Sequence, residues 1–100
     1  MEATKVIDYR LQDPGEALDH PIDWSDWLQS GESIASVSFT ITPDESPTLV
    51  SADSPGFTGD VSTCTVDGVE MAEIYRLTHT IVTTVGRRGV RSLTIRGFKE

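Results

Sequence analysis

Few residues in this chain have the chemistry of a catalytic centre. The single cysteine, Cys64, and one of two histidines, His79, are the residue types that supply a nucleophile and a general base. They would act together only if their strands are neighbours, and no positively charged loop surrounds Cys64 to activate it. We therefore expect Cys64 to pack as a small buried hydrophobe, and a protein that is not an enzyme. An enzyme built on Cys64 and His79 is the weakest alternative.

The acidic residues do not form a recognisable metal site. Asp19, Asp23 and Asp26 lie close together in the sequence, but their spacing lacks the alternating ligands and the closing glutamate of a calcium loop. Helix capping and a solvated surface explain them more simply. A single cysteine also excludes an internal disulfide and a cysteine-rich zinc site. The sequence predicts no metal and no cofactor.

Two tryptophans are the most informative side chains. Trp24, Trp27 and Leu28 stand at positions i, i+3 and i+4 of a short helical turn, so all three point the same way. Asp23 can cap this turn, and Gly31 stands where it ends. Three interpretations remain open: the indoles close one end of the core, they contact another protein, or they form a stacking platform for sugar.

A second candidate contact lies at 86–89, where Arg87 and Arg88 stand between two glycines. Nothing helical follows this stretch, so it is neither a phosphate-binding loop nor a dinucleotide fingerprint. It is typical of a hairpin tip, which either solubilises the protein or contacts an acidic partner. The candidate partner-binding residues are Trp24, Trp27, Leu28, Arg87 and Arg88.

The elements that position these side chains are strands. Val, Ile and Thr number 28 residues, whereas Ala and Leu number 11. The clearest alternation runs through 34–42, where Ala35, Val37, Phe39 and Ile41 face inward. Further strands are predicted at 48–51, 61–66, about 73–85 and 90–96, with turns at 44–47 and 53–56 and a hairpin at 86–89.

These strands predict a small, all-β, immunoglobulin-like antiparallel sandwich. Tyr75-Arg76-Leu77, near the start of the penultimate strand, suits a tyrosine corner, in which the hydroxyl bonds back to an upstream loop. We expect residues 32–100 to form the sandwich. Residues 1–31 form an extended segment that carries the short helical turn, either as part of the same domain or as a docking arm.

The charges exclude some partners. The net charge is −8, yet residues 1–75 hold fifteen acids and two bases, while 76–100 hold six bases and one acid. Overall acidity argues against nucleic-acid binding. The polarity either supports contact between copies or a docking face, or reflects a solvated surface whose charges lie where the strands expose them. No apolar run approaches the ~18 residues of a membrane helix, so we expect no membrane anchor. The N-terminus lacks a secretory pattern, which predicts synthesis in the cytoplasm.

Several stretches in order resemble a known family. They are Asp-Pro at 13–14, Asp-Trp-Ser-Asp-Trp-Leu at 23–28, Gly-Glu-Ser-Ile-Ala-Ser at 31–36, Tyr-Arg-Leu-Thr at 75–78 and Arg-Ser-Leu-Thr-Ile at 91–95. This layout resembles the fiber-tail adaptor or neck-associated structural proteins of tailed bacteriophages and prophages, over about residues 12–97. The stretches at 23–28 and 91–95 are the specific parts.

The resemblance implies a non-enzymatic virion protein made in the host cytoplasm. It would bridge other structural proteins at the neck, collar, tail or fiber attachment point, in several copies of a symmetric assembly, without nucleic acid or membrane. We expect residues 1–30 to be partly mobile until a partner orders them. The alternative is a carbohydrate-binding or adhesion module, which requires both tryptophan rings to be exposed and roughly coplanar.

Overall fold

The computed structural model describes residues 5–42, 48–51 and 56–98. Within these ranges the regular structure is entirely β, which confirms the predicted all-β class. The eight strands are β1 (Lys5–Gln12), β2 (Ala17–Asp23), β3 (Ile34–Thr42), β4 (Thr48–Ser51), β5 (Phe57–Thr58), β6 (Val61–Asp67), β7 (Ile74–Thr83) and β8 (Arg88–Gly97). The turn predicted at 44–47 lies outside the described residues, and so do residues 53–55 of the next one.

The strands form two sheets that pack as a sandwich. Sheet I has the order β1-β8-β7-β3, and sheet II has the order β2-β6-β4, with the short β5 also paired to β6. Pairing is antiparallel except between β1 and β8, which run parallel. Three strands of each sheet follow the order of the C-F-G and B-E-D strands of an immunoglobulin domain. The immunoglobulin-like label stays a prediction.

The first 31 residues contribute to both sheets. Residues 5–12 form β1 along β8, and residues 17–23 form β2 along β6. The side-chain amide of Gln12 links the two sheets, since Nε2 donates to the Val66 carbonyl at 2.7 Å and Oε1 accepts from Nε2 of His20 at 2.7 Å. The division at residue 31 stays a prediction, but strand pairing runs across it.

A bulge modifies the predicted alternation of β3. Val37, Phe39 and Ile41 face the core as expected, but the register with β7 shifts between Ile34 and Ser36. Ile34 therefore turns inward and Ala35 is exposed. The expectation that Ala35 faces inward was wrong, because one extra residue reverses the direction of the side chains that precede it.

The hairpin between β7 and β8 crosses the middle of sheet I. On its inner side Tyr75 lies opposite Ile95 and Leu77 lies opposite Leu93, and Ile81 is buried on the same side opposite Gly89. The hydroxyl of Tyr75 accepts a hydrogen bond from the Glu70 N–H at 3.0 Å, the upstream bond expected of a tyrosine corner. The core lies between the two sheets and includes Cys64, which is fully buried as predicted. Among the described residues no helix is long and apolar enough to cross a membrane.

Candidate functional site

The segment between β2 and β3 is held as a compact turn by its own polar groups. The N–H groups of Trp27 and Leu28 both donate to the Trp24 carbonyl, at 2.9 and 3.0 Å, and the Asp23 carboxylate accepts from the Ser25 N–H at 2.9 Å. This is one hydrogen-bonded turn with Asp23 at its start. The described part of the chain contains no helix, so the predicted helical element is reduced to this turn.

Trp24 is a core residue. Its side chain is 1% exposed, and its indole Nε1–H donates to the hydroxyl of Ser62 at 2.9 Å. That hydroxyl in turn bonds Nδ1 of His79 at 2.7 Å, so a chain of polar groups crosses the sandwich interior. Trp24 has almost no surface with which to touch a partner.

Trp27 lies beside Trp24 at the same end of the sandwich. The two ring centroids are 5.6 Å apart and the planes meet at 70°, an edge-to-face contact. The guanidinium of Arg87 lies 4.1 Å from the Trp27 ring centroid, and that of Arg91 lies 4.6 Å from the Trp24 centroid. Each indole is therefore covered by an arginine from the β7–β8 hairpin through a cation–π contact.

Glu32 anchors this arrangement. Its carboxylate, 2% exposed, accepts hydrogen bonds from Nε and Nη2 of Arg87, from the Thr83 hydroxyl at 2.7 Å and from the Gln29 N–H at 2.9 Å. These bonds, chiefly those of Arg87, lower the pKa of Glu32 to about 2. Since Arg87 also donates to the Trp27 carbonyl at 3.2 Å, one side chain ties the turn to the hairpin.

Arg91 makes a second tie between the turn and the hairpin. Its Nη1 donates to the Asp23 carbonyl at 3.1 Å and to the Asp26 carboxylate at 3.0 Å. The Asp26 side chain is 72% exposed, so this pair closes the cluster at the surface. Asp19 instead accepts from the hydroxyl of Thr65. The three clustered aspartates thus have separate structural partners, and within the described residues no group of three His, Cys, Asp or Glu could hold a metal ion.

The structure brings four of the five predicted site residues into one cluster. Trp24, Trp27 and Arg87 are in contact, and Leu28 packs against the same core, while Arg88 points outward at the start of β8. We call the exposed parts of Trp27, Leu28, Arg87 and Arg88 the hairpin end. That these residues bind a partner stays a prediction.

The geometry does not suit the alternative functions. A flat sugar platform needs two exposed and coplanar rings, whereas Trp24 is buried and the rings meet at 70°. Burial raises the pKa of the Cys64 thiol to about 11, which makes it a poor nucleophile at neutral pH. The described polar partner of His79 is Ser62, and burial lowers the pKa of His79 to about 3.

An exposed apolar surface that was not predicted lies at the opposite end of sheet I. Leu11 and Ile74 are 52% and 56% exposed and flank Arg96 in one row of the sheet. The other large apolar side chains exposed at this end are Tyr9, Met71 and Phe98. We call these five residues the apolar end. The sequence contains one signal of this surface, since Ile74 is an apolar residue on the side of β7 that otherwise carries mainly polar residues.

A family comparison decides the class of the protein. Residues 12–96 match the family described as podophage GP4 fiber-tail adaptor protein gp77. The chain belongs to this family. The adaptor family match spans the whole cluster at the hairpin end, whereas Tyr9, Leu11 and Phe98 lie just outside it.

Membership in the fiber-tail adaptor family confirms the resemblance of the sequence. It makes the chain a structural adaptor of a phage tail, and so a part of the virion that interacts with other tail or fiber proteins. Among curated proteins none matches the chain.

Proposed function

We propose that this protein is a non-enzymatic bridge that binds one virion protein at its hairpin end and another at its apolar end. The exposed apolar end is the observation that carries the proposal, because an adaptor needs two separate contact surfaces. β7 runs from Ile74 at the apolar end to Thr83 beside the hairpin end. At ~3.3 Å per residue its ends are about 30 Å apart, so both surfaces can be occupied at once.

The apolar end has the composition of a protein-binding surface. Tyr9, Leu11, Met71 and Ile74 are all more than half exposed, and Phe98 is 43% exposed. Clustered apolar groups of this size on a small domain cost solvation free energy unless a partner covers them. Aromatic side chains next to an arginine are also typical of the residues that contribute most to binding.

The hairpin end offers a rigid and more polar surface. Trp27 and Leu28 are partly buried, and the Arg87 side chain remains 35% exposed although it is fixed by Glu32 and by the Trp27 ring. An arginine held in place before binding loses little side-chain entropy when it meets a carboxylate on a partner. Arg88 adds an exposed second positive charge.

We propose the neck, collar, tail or fiber attachment point as the place of the protein in the virion, after synthesis in the host cytoplasm. Several copies would occupy a symmetric assembly, as the sequence led us to expect. The net charge of −8 supports protein partners rather than nucleic acid, since phosphates would be repelled overall.

The test is to supply variants to a phage that lacks its own copy of the gene and to analyse purified particles by mass spectrometry. Ile74→Asp places a charge in the apolar end, and Arg88→Glu reverses one at the hairpin end. Both residues are exposed, so both variants should fold and melt like the wild type. We expect wild-type protein at a fixed ratio to the capsid protein.

Ile74→Asp and Arg88→Glu should change the composition of the particles in different ways if the two ends bind different partners. One variant should be absent from particles together with the fibers, and the other should be retained on particles that lack fibers. Ile74→Val and Arg88→Lys keep the apolar surface and the positive charge, so these matched controls should be incorporated normally. Normal incorporation of both test variants with a full set of fibers, or a wild-type chain that stays with free protein, would refute the proposal.

A further inference from the structure

The outer face of sheet I carries positive charge only, as far as its side chains are described. Arg76 on β7 and Arg88 and Arg96 on β8 point outward and are exposed. Their described neighbours on this face are apolar or hydroxyl side chains, including Ser38, Thr40, Thr78 and Thr94. No carboxylate is among them.

The outer face of sheet II has the opposite charge. Asp19 and Asp23 on β2 and Asp67 on β6 are exposed there, beside Thr63 and Thr65. No Lys or Arg is among the described side chains of this face. The uneven charge of the sequence is therefore distributed between the two sides of the sandwich.

The charges on the two faces are also matched in spacing. Arg76 pairs in register with Thr94, and Arg96 stands two residues further along β8. Asp19 pairs with Thr65, and Asp67 stands two residues further along β6. Both pairs are diagonal neighbours on adjacent antiparallel strands, which places the two residues of each pair about 7–8 Å apart.

From this complementarity we infer that the partner of each outer face is a second copy of the chain, with sheet I of one copy lying against sheet II of the next. A two-fold contact between like faces would bring arginines against arginines or aspartates against aspartates, which is repulsive. A contact between unlike faces is heterologous, so it propagates into a ring when the rotation closes. This inference rests on the proposed assembly of several copies and names the surfaces involved.

The net charge of −8 acts against this contact at long range. At ~0.1 M salt the screening length is about 10 Å, so repulsion between whole molecules is reduced while charges in direct contact still attract. Association should therefore be strongest at intermediate ionic strength and should be lost near 1 M salt, where the screening length is about 3 Å.

Two charge reversals on the full chain test the inference by sedimentation velocity at ~0.1 M salt. Arg76→Glu with Arg96→Glu makes both faces acidic, and Asp19→Lys with Asp67→Lys makes both faces basic around the exchanged pair. We expect the wild type to associate with increasing concentration and each double variant alone to associate at least about tenfold more weakly. An equimolar mixture of the two variants should associate again, because unlike faces then meet.

Glu16→Lys with Glu73→Lys is the matched control, since it makes the same charge change as the aspartate variant at exposed positions in the connections between strands. It should associate like the wild type, and cooperative melting should show that all variants are folded. Double variants that each associate as strongly as the wild type, or a mixture of them that does not recover association, would overturn the inference. Either result would leave the assembly of several copies intact. A wild type that stays monomeric would overturn both the inference and the assembly of several copies.

Discussion

At the scale of single residues, Glu32 shows how a buried charge is accommodated in this protein. It is a nearly buried carboxylate that satisfies Arg87, Thr83 and the backbone of Gln29 at once. In the sequence Glu32 stands out only as part of the stretch 31–36, and Arg87 only as a candidate contact for a partner. A carboxylate 55 positions before an arginine gives no signal of pairing, because the pairing depends on how two loops meet in the folded molecule.

The pH dependence of stability should report this carboxylate. Its pKa is about 2 in the folded protein against 4.5 for the free group, so between these values the unfolded chain binds the extra proton. The stability that the ionised carboxylate contributes is fully present above about pH 4.5 and is lost as the pH falls toward 2. We therefore expect the free energy of unfolding of the wild type, measured with urea, to fall more steeply over this window than that of Glu32→Gln.

The control is Glu73→Gln, which removes an exposed carboxylate and should leave the pH profile close to that of the wild type. Parallel profiles for the wild type and Glu32→Gln between pH 4.5 and 2 would show that the Arg87 contact is not maintained in solution.

At the scale of elements, the strands marked by clear alternation or by flanking turn residues were predicted well, and the first two strands were not. The strands at 34–42, 48–51 and 61–66 and the β7–β8 hairpin could be predicted from alternation and turn residues. β1 could not, because it pairs in parallel with β8 more than eighty residues later and no local pattern encodes that pairing. β2 was expected only as an extended segment, since Pro21 weakens the strand signal.

The packing role of Gly89 was not predicted, although the hairpin that contains it was. This glycine was expected within the hairpin tip, but it lies in β8, where it faces both indoles. A Cβ placed there would lie 2.8 Å from a Trp24 ring carbon and 3.0 Å from one of Trp27. The two rings can approach the sheet only because this residue has no side chain.

Gly89→Ala should therefore destabilise the protein by about 1–3 kcal/mol, because one of the rings must move out of its packed position. Thermal or urea unfolding measures the loss, and a change in tryptophan fluorescence should accompany it. Gly15→Ala is the matched control, since its Cβ would meet only the Asp13 carboxylate at 3.4 Å, and its effect should stay within about 0.5 kcal/mol. Equal stabilities of the two variants would mean that the rings do not pack on Gly89.

At the scale of the whole molecule, the N-terminal third is the part whose arrangement the sequence left open. The sequence allowed either a docking arm that a partner orders or a part of the same domain. In the structure β1 and β2 each belong to one sheet, and Gln12 connects the sheets through His20 and the Val66 carbonyl. These contacts favour the proposed bridge as a rigid body, because in the described chain strand pairing ties residues 5–12 and 17–23 to the strands that follow residue 31.

Hydrogen exchange of the free protein distinguishes a rigid adaptor from one with an arm. The amides of β1 and β2 that bond to β8 and β6 should exchange slowly, within about an order of magnitude of those in β7 and β8, because they open only when the sandwich opens. The exposed residues around Gly86 in the hairpin turn provide the fast-exchanging reference within the same sample. If the amides of β1 and β2 exchange as fast as those of that turn, the N-terminal segment is a docking arm in the free protein. The hypothesis of a rigid bridge would then be wrong, and the arm would fold only on its partner.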